Sequence, residues 1–139
     1  MPDVKNREEI FGEQLIMDTE DGILGREDIL LTLASSVSIE ELPELIKEYG
    51  GVCYPAHIDR ESYSVISALG DFPDSLGVSA FELTPMADEK EWREKYPALA
   101  DKILIRSSDA HYLQNMREAE FTVDLPENSA QAVIDYLKG

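Results

Sequence analysis

The chain has 139 residues, 43% hydrophobic and 29% charged, and its 29 acidic side chains against 12 basic ones give a net charge of -17. That composition excludes a wholly disordered chain, and the length suits one domain while falling short of the roughly 250 residues of a complete eight-stranded (β/α) barrel. A surface so negative repels phosphate backbones and anionic membranes, so neither nucleic acid nor a membrane is expected as a partner, and a phosphorylated ligand needs local positive charge from metal ions or arginines.

The first third is the least regular. Residues 10–17 read as a short helix, and 23–33 as a buried strand or helix, since Ile29, Leu30, Leu31 and Leu33 fit either. Between them, Asp18-Thr-Glu-Asp-Gly22 has the look of a calcium loop, but its glycine falls one place early and Ile29 stands where a closing carboxylate belongs, so it reads as a turn. Ser38-Ile-Glu-Glu41 is a capping box ahead of a helix whose apolar face is Leu42, Leu45, Ile46 and Tyr49, closed by Gly50, with Pro43 awkward in its second turn.

From residue 50 onward, strand and helix patterns alternate. Strands are expected at 52–56, 78–83, 103–106 and 121–125, and helices at 63–69 before Gly70, at 87–95 before Pro97, and at 129–137. Repeated βα units imply a parallel sheet with helices outside. The expected organisation is a single α/β domain over residues 1–139, with 1–37 as an irregular or helical lead-in and 38–139 as the βα units. The one cysteine, Cys53, sits in an apolar run and cannot close an intrachain disulfide; no signal-peptide pattern and no membrane-spanning apolar run stand out, so a cytoplasmic location is expected.

The chain's only two histidines close two of these strands, in Gly51-Val-Cys-Tyr-Pro-Ala-His57-Ile-Asp-Arg60 and Lys102-Ile-Leu-Ile-Arg-Ser-Ser-Asp-Ala-His111. In parallel βα architectures chemistry gathers at the carboxyl ends of strands, where the polar pair Glu82 and Thr84 also lies. Asp109 and His111 are two residues apart, so an extended backbone would point both side chains to one face. His57 alone would read as a satisfied core histidine, and Asp109 with its serines as a helix cap. Taken together, with both histidines at equivalent places, His57, Asp109 and His111 read as metal ligands, and imidazole with carboxylate suits zinc, manganese or iron. Three ligands with open positions would acidify a bound water toward hydroxide. Arg60 offers a forked donor for phosphate or, equally, an ion pair on an acidic surface. No phosphate-cradling glycine loop, dinucleotide fingerprint or nucleophile elbow is present.

In Pro55-Ala-His57-Ile-Asp-Arg60, the following Ser62-Tyr-Ser-Val-Ile-Ser-Ala-Leu-Gly70, Phe81-Glu82-Leu and Ser107-Ser-Asp-Ala-His111, the chain resembles the PHP (polymerase and histidinol phosphatase) domain family of metal-dependent phosphoesterases. Phe11-Gly-Glu-Gln-Leu-Ile-Met-Asp18 is also similar to a segment of a bacterial subgroup, so the likeness runs from about residue 8 onward. The resemblance implies a distorted (β/α)7 barrel with divalent metals at its mouth, hydrolysing a small phosphorylated substrate through metal-bound hydroxide. By motif it makes His57, Asp109 and His111 metal ligands. The family's His-x-His strand end, Thr-Asp-His motif and ligand glutamate have no counterpart, because no histidine precedes His57. The chain is therefore expected to be a partial barrel, the C-terminal half, inactive or incomplete as it stands. A half barrel leaves sheet edges and an apolar face uncovered, so a homo-oligomer, or pairing with a missing N-terminal half, is expected. The alternative is a non-catalytic interaction or assembly remnant in which the motif residues only cap and pack.

Overall fold

A computed structural model describes residues 2–73, 76–119 and 121–139. The chain divides into two compact units, Met1–Ser38 and Ile39–Gly139.

The first unit is built on a hairpin. After α1 (Glu8–Phe11), β1 (Leu15–Met17) runs antiparallel to β2 (Ile23–Arg26), with Leu15 opposite Arg26, Ile16 opposite Gly25, and an irregularity before Met17 meets Ile23. The expected helix over 10–17 thus ends at Phe11, and the rest of that stretch is strand. The deciding element is the turn: Asp18 Oδ1 accepts hydrogen bonds from the backbone N–H groups of Glu20 and Gly22, both at 2.8 Å, which reverses the chain and brings the flanking segments side by side. Those bonds also hold the Asp18 carboxyl below its ordinary pKa. Gln14 adds a side-chain clasp, donating to the carbonyls of Glu27 and Ile29 and accepting from Leu31 N–H.

In the second unit β3 (Ala80–Leu83) and β4 (Ile103–Arg106) form a parallel pair in which Ala80 faces Ile103 and Leu83 faces Arg106. All four β3 residues are buried, as expected of a strand covered on both faces. The crossover is α4 (Glu89–Lys95): Asp88 caps it by accepting from Lys90 and Glu91 N–H, acids fill the first turn, Arg93 and Lys95 the last, and Pro97 follows its end. Arg93 then ties down the return to β4, donating to the carbonyls of Leu99, Ala100 and Lys102.

Around this βαβ unit lie α2 (Leu42–Glu48), α3 (Val65–Leu69) and α5 (Ala130–Lys138). Glu41, and not Ser38, is the cap position of α2, so the helix starts later than its sequence pattern implies and Pro43 falls in its first turn, where a missing N–H costs nothing. Gly50, at φ 77°, ends it in a left-handed step that returns the Gly51 N–H to Ile46 O. α3 has a full capping box between Ser64 and Ser67 and stops at Gly70, φ 86°. The core joins Ile58, Val65, Leu76, Val78, Phe81, Leu83, Leu99 and Leu104, flanked by an edge-on contact of Phe72 with Phe81 at 5.0 Å.

Two expected strands are absent as such among the described residues. Residues 121–125 lie outside any ladder, and 52–56 touch the sheet only at their end. No helix of the described residues is long and apolar enough to cross a membrane.

Candidate functional site

The end of the 52–58 segment meets β3 through two bonds: Glu82 N–H donates to Pro55 O (3.0 Å), and Ile58 N–H donates to Glu82 O (2.9 Å). In a regular parallel ladder such a pair of bonds brackets one residue; here it brackets two, Ala56 and His57, so the segment bulges. His57 takes up the distortion at φ 31°, a conformation sparsely populated for a non-glycine residue. Directly after it, the buried side chain of Ile58 enters the core and the Asp59 carboxylate grips the end of β3, accepting from both the N–H (2.8 Å) and the hydroxyl of Thr84. The bulge is thereby anchored on both sides.

β4 delivers the other half. Past Arg106 the strand gives way to Ser107, whose hydroxyl donates to the buried carboxylate of Glu82 at 2.9 Å. Two residues on, Asp109 adopts φ 47°. Its Oδ2 lies 3.9 Å from His57 Nε2 and accepts a hydrogen bond from Arg60 Nη1. Strained non-glycine backbone therefore occurs on both partners of the closest carboxylate–imidazole pair, a pattern common where structure is held for function.

The His57 side chain is only 13% exposed, and its Nδ1 is buried with no hydrogen-bond partner among the described residues. Burying an imidazole nitrogen unpaired costs free energy. His111 is different. It is exposed, and its Nδ1 sits 2.9 Å from Asp109 O. A carbonyl can only accept, so Nδ1 carries the proton and Nε2 of the neutral ring keeps its lone pair.

Of the four residues that the sequence singles out, the structure brings three together: His57, Arg60 and Asp109. His111 stays on the exposed rim, because the left-handed step at Asp109 breaks the alternation that would have put both side chains on one face. Of the two readings of Arg60, the ion pair is the one formed, and its partner is the proposed ligand itself. Sequence reasoning missed Asp59, although it lies within the same Pro-Ala-His run and has the short polar side chain that suits a strand-end clasp. Nearby, burial and then the Glu82 charge push the Tyr54 phenol above its ordinary pKa.

As a metal centre the donor set fits in part. His57 Nε2 and Asp109 Oδ2 are close enough to approach one ion after a small adjustment, and Arg60 already puts a positive charge on that carboxylate. A group of three close His, Cys, Asp or Glu ligands does not occur among the described residues. No family model matches the chain, and neither a curated protein nor a solved structure matches it.

Proposed function

We propose that the second unit carries part of a metal-dependent phosphoesterase site of the PHP type, on a partial (β/α) barrel. The observation that supports this most directly is the meeting of His57, Asp109 and Arg60 at the carboxyl ends of parallel segments. In this reading His57 and Asp109 hold a divalent ion, zinc, manganese or iron by the chemistry of the donors, and His111 has Nε2 free to join them. The ion would polarise the phosphoryl group and acidify water for attack on it. The protein's own contributions are distinct. The bulge at residues 56 and 57 aims the imidazole, the Asp59–Thr84 clasp holds that bulge, and Arg60 swings between the Asp109 carboxylate and a phosphate oxygen. The substrate is a small phosphorylated molecule, since the charge of -17 disfavours nucleic acid. Association with a second copy, or with a separate chain completing the barrel, would cover the sheet edges.

One observation favours the other reading, a non-catalytic assembly module: Asp109 is already satisfied by Arg60 without any metal. Elemental analysis after equilibration with manganese or zinc, followed by hydrolysis of a generic aryl phosphate, separates the two. The phosphoesterase reading expects bound metal that falls in both His57→Ala and Asp109→Ala, with turnover falling alongside. Metal content equal in wild type and variants, with turnover at background throughout, would leave the assembly reading standing.

A further inference from the structure

Beside the strand end of β4 lies a pocket of about 430 Å³, large enough for a small metabolite. Arg106, Ser107 and Ser108 form one part of its lining, and Arg117, Glu118 and Phe121 another. We infer that this pocket is an oxyanion-binding site that takes the phosphate end of a small acidic ligand.

The argument begins with charge. Four arginines, Arg7, Arg26, Arg60 and Arg93, lie in ion pairs with carboxylates, as a chain of net charge -17 would lead one to expect. Arg106 does not follow them. Its Nη1 donates to two neutral carbonyls, Thr84 O at 3.2 Å and Pro85 O at 3.1 Å, and no carboxylate lies within ion-pair distance among the described residues. Those two bonds hold a half-buried guanidinium in a fixed orientation without neutralising it. Its Nε and Nη2 retain N–H groups in a planar fork, the geometry that matches two oxygens of a phosphate.

Arg117 brings a second guanidinium to the lining, and Ser108 brings a hydroxyl, that of Ser107 being already donated to Glu82. Glu118 opposes an anion at its own position and suits a hydroxyl or amine on the same ligand, while the Arg106 fork suits the oxyanion. Phe121 and Pro85 contribute apolar wall for the remainder. The inference rests on these residues alone and does not depend on a metal or on the phosphoesterase reading, although Ser108 places the pocket next to Asp109.

The test is titration of the full chain with inorganic phosphate in the presence of EDTA, followed by amide and arginine Nε resonances. Saturable shifts are expected at Ser107, Ser108 and Arg117, weakening with added salt. Arg106→Lys keeps the charge but loses the fork, and should weaken binding about tenfold. Arg117→Gln, on the exposed side of the pocket, should weaken it too, and the unfolding midpoint of each variant, measured alongside, separates loss of the site from loss of the fold. Shifts that do not saturate, shifts confined to His57 and Arg60, or wild-type affinity in both variants would each overturn the inference. Because metal is absent throughout, none of these results bears on the phosphoesterase proposal.

Discussion

The carboxylate of Asp59 accepts both the backbone N–H and the hydroxyl of Thr84, closing the turn after His57 onto the end of β3. The bulge that positions His57 lies immediately before it. Asp59→Ala removes both acceptor oxygens and leaves two donors to be rehydrated, so a loss of about 1–3 kcal/mol in urea unfolding is expected. Asp59→Asn, which keeps one acceptor oxygen, should lose less. Equal stability of wild type and Asp59→Ala would show that the clasp does not hold the segment.

Ser64 has a similar double duty one turn later. Its hydroxyl caps α3 by accepting from Ser67 N–H and also donates to Arg60 O at 2.8 Å, so the helix start and the backbone of the phosphate-binding candidate share one buried side chain. Ser64→Ala is expected to cost about 1 kcal/mol, in the range of a lost helix cap. Ser67→Ala removes the bond its hydroxyl accepts from Ser64 N–H and the one it donates to Ser64 O, but Ser67 is exposed and water can replace it, so the change should cost less, a ranking that chemical denaturation of the two variants can check.

How much of this was legible in the sequence depends on the range of the interaction responsible. α3 and α5 are found where their local signals put them, because Gly70 and Ser129 act within one turn of the helix they bound. The βαβ pairing of β3 with β4 follows from alternating patterns in the same way. The first strand of the hairpin is not legible in residues 10–17, since a run of three strand residues carries too little periodicity to compete with a helical stripe. The site was half legible. Residue type and position marked His57, Arg60 and Asp109, but whether Asp109 and His111 share a face depends on a left-handed step at Asp109, for which an Asp is permissive and not diagnostic.

Alkaline pH probes the wall behind Glu82. Tyr54 is held above its ordinary 10.0 by burial and then by the Glu82 charge, and Cys53 above its ordinary 9.0 by burial. Both pKa values are raised in the folded state, so the unfolded chain loses these protons first as pH rises. Their contribution to stability is full below the unfolded values and is lost as pH climbs through the folded ones. Unfolding free energy should therefore fall as pH rises above 9.0, and the decline should flatten in Tyr54→Phe and, at its lower end, in Cys53→Ala. A slope unaltered by both substitutions would place its cause elsewhere.

The contact between Arg60 and Asp109 makes opposite predictions for metal and for structure. If Asp109 is a metal ligand, the guanidinium on its Oδ2 is a competitor that an incoming ion must displace or share the carboxylate with. Arg60→Met keeps most of the apolar stem while removing the competing charge. The Arg60 side chain is 48% exposed, so the pair itself is weak, and the gain is bounded accordingly: manganese or zinc affinity, read by calorimetry, should rise about two- to fivefold. Stability without metal should fall slightly, because Asp109 then faces His57 without its cationic neighbour. If Asp109 serves only the ion pair, the same substitution lowers stability and leaves metal affinity where it was. A lower affinity in Arg60→Met would be harder still on the metal reading, since it would mean that the guanidinium assists the ion and that the carboxylate is not the atom they contest.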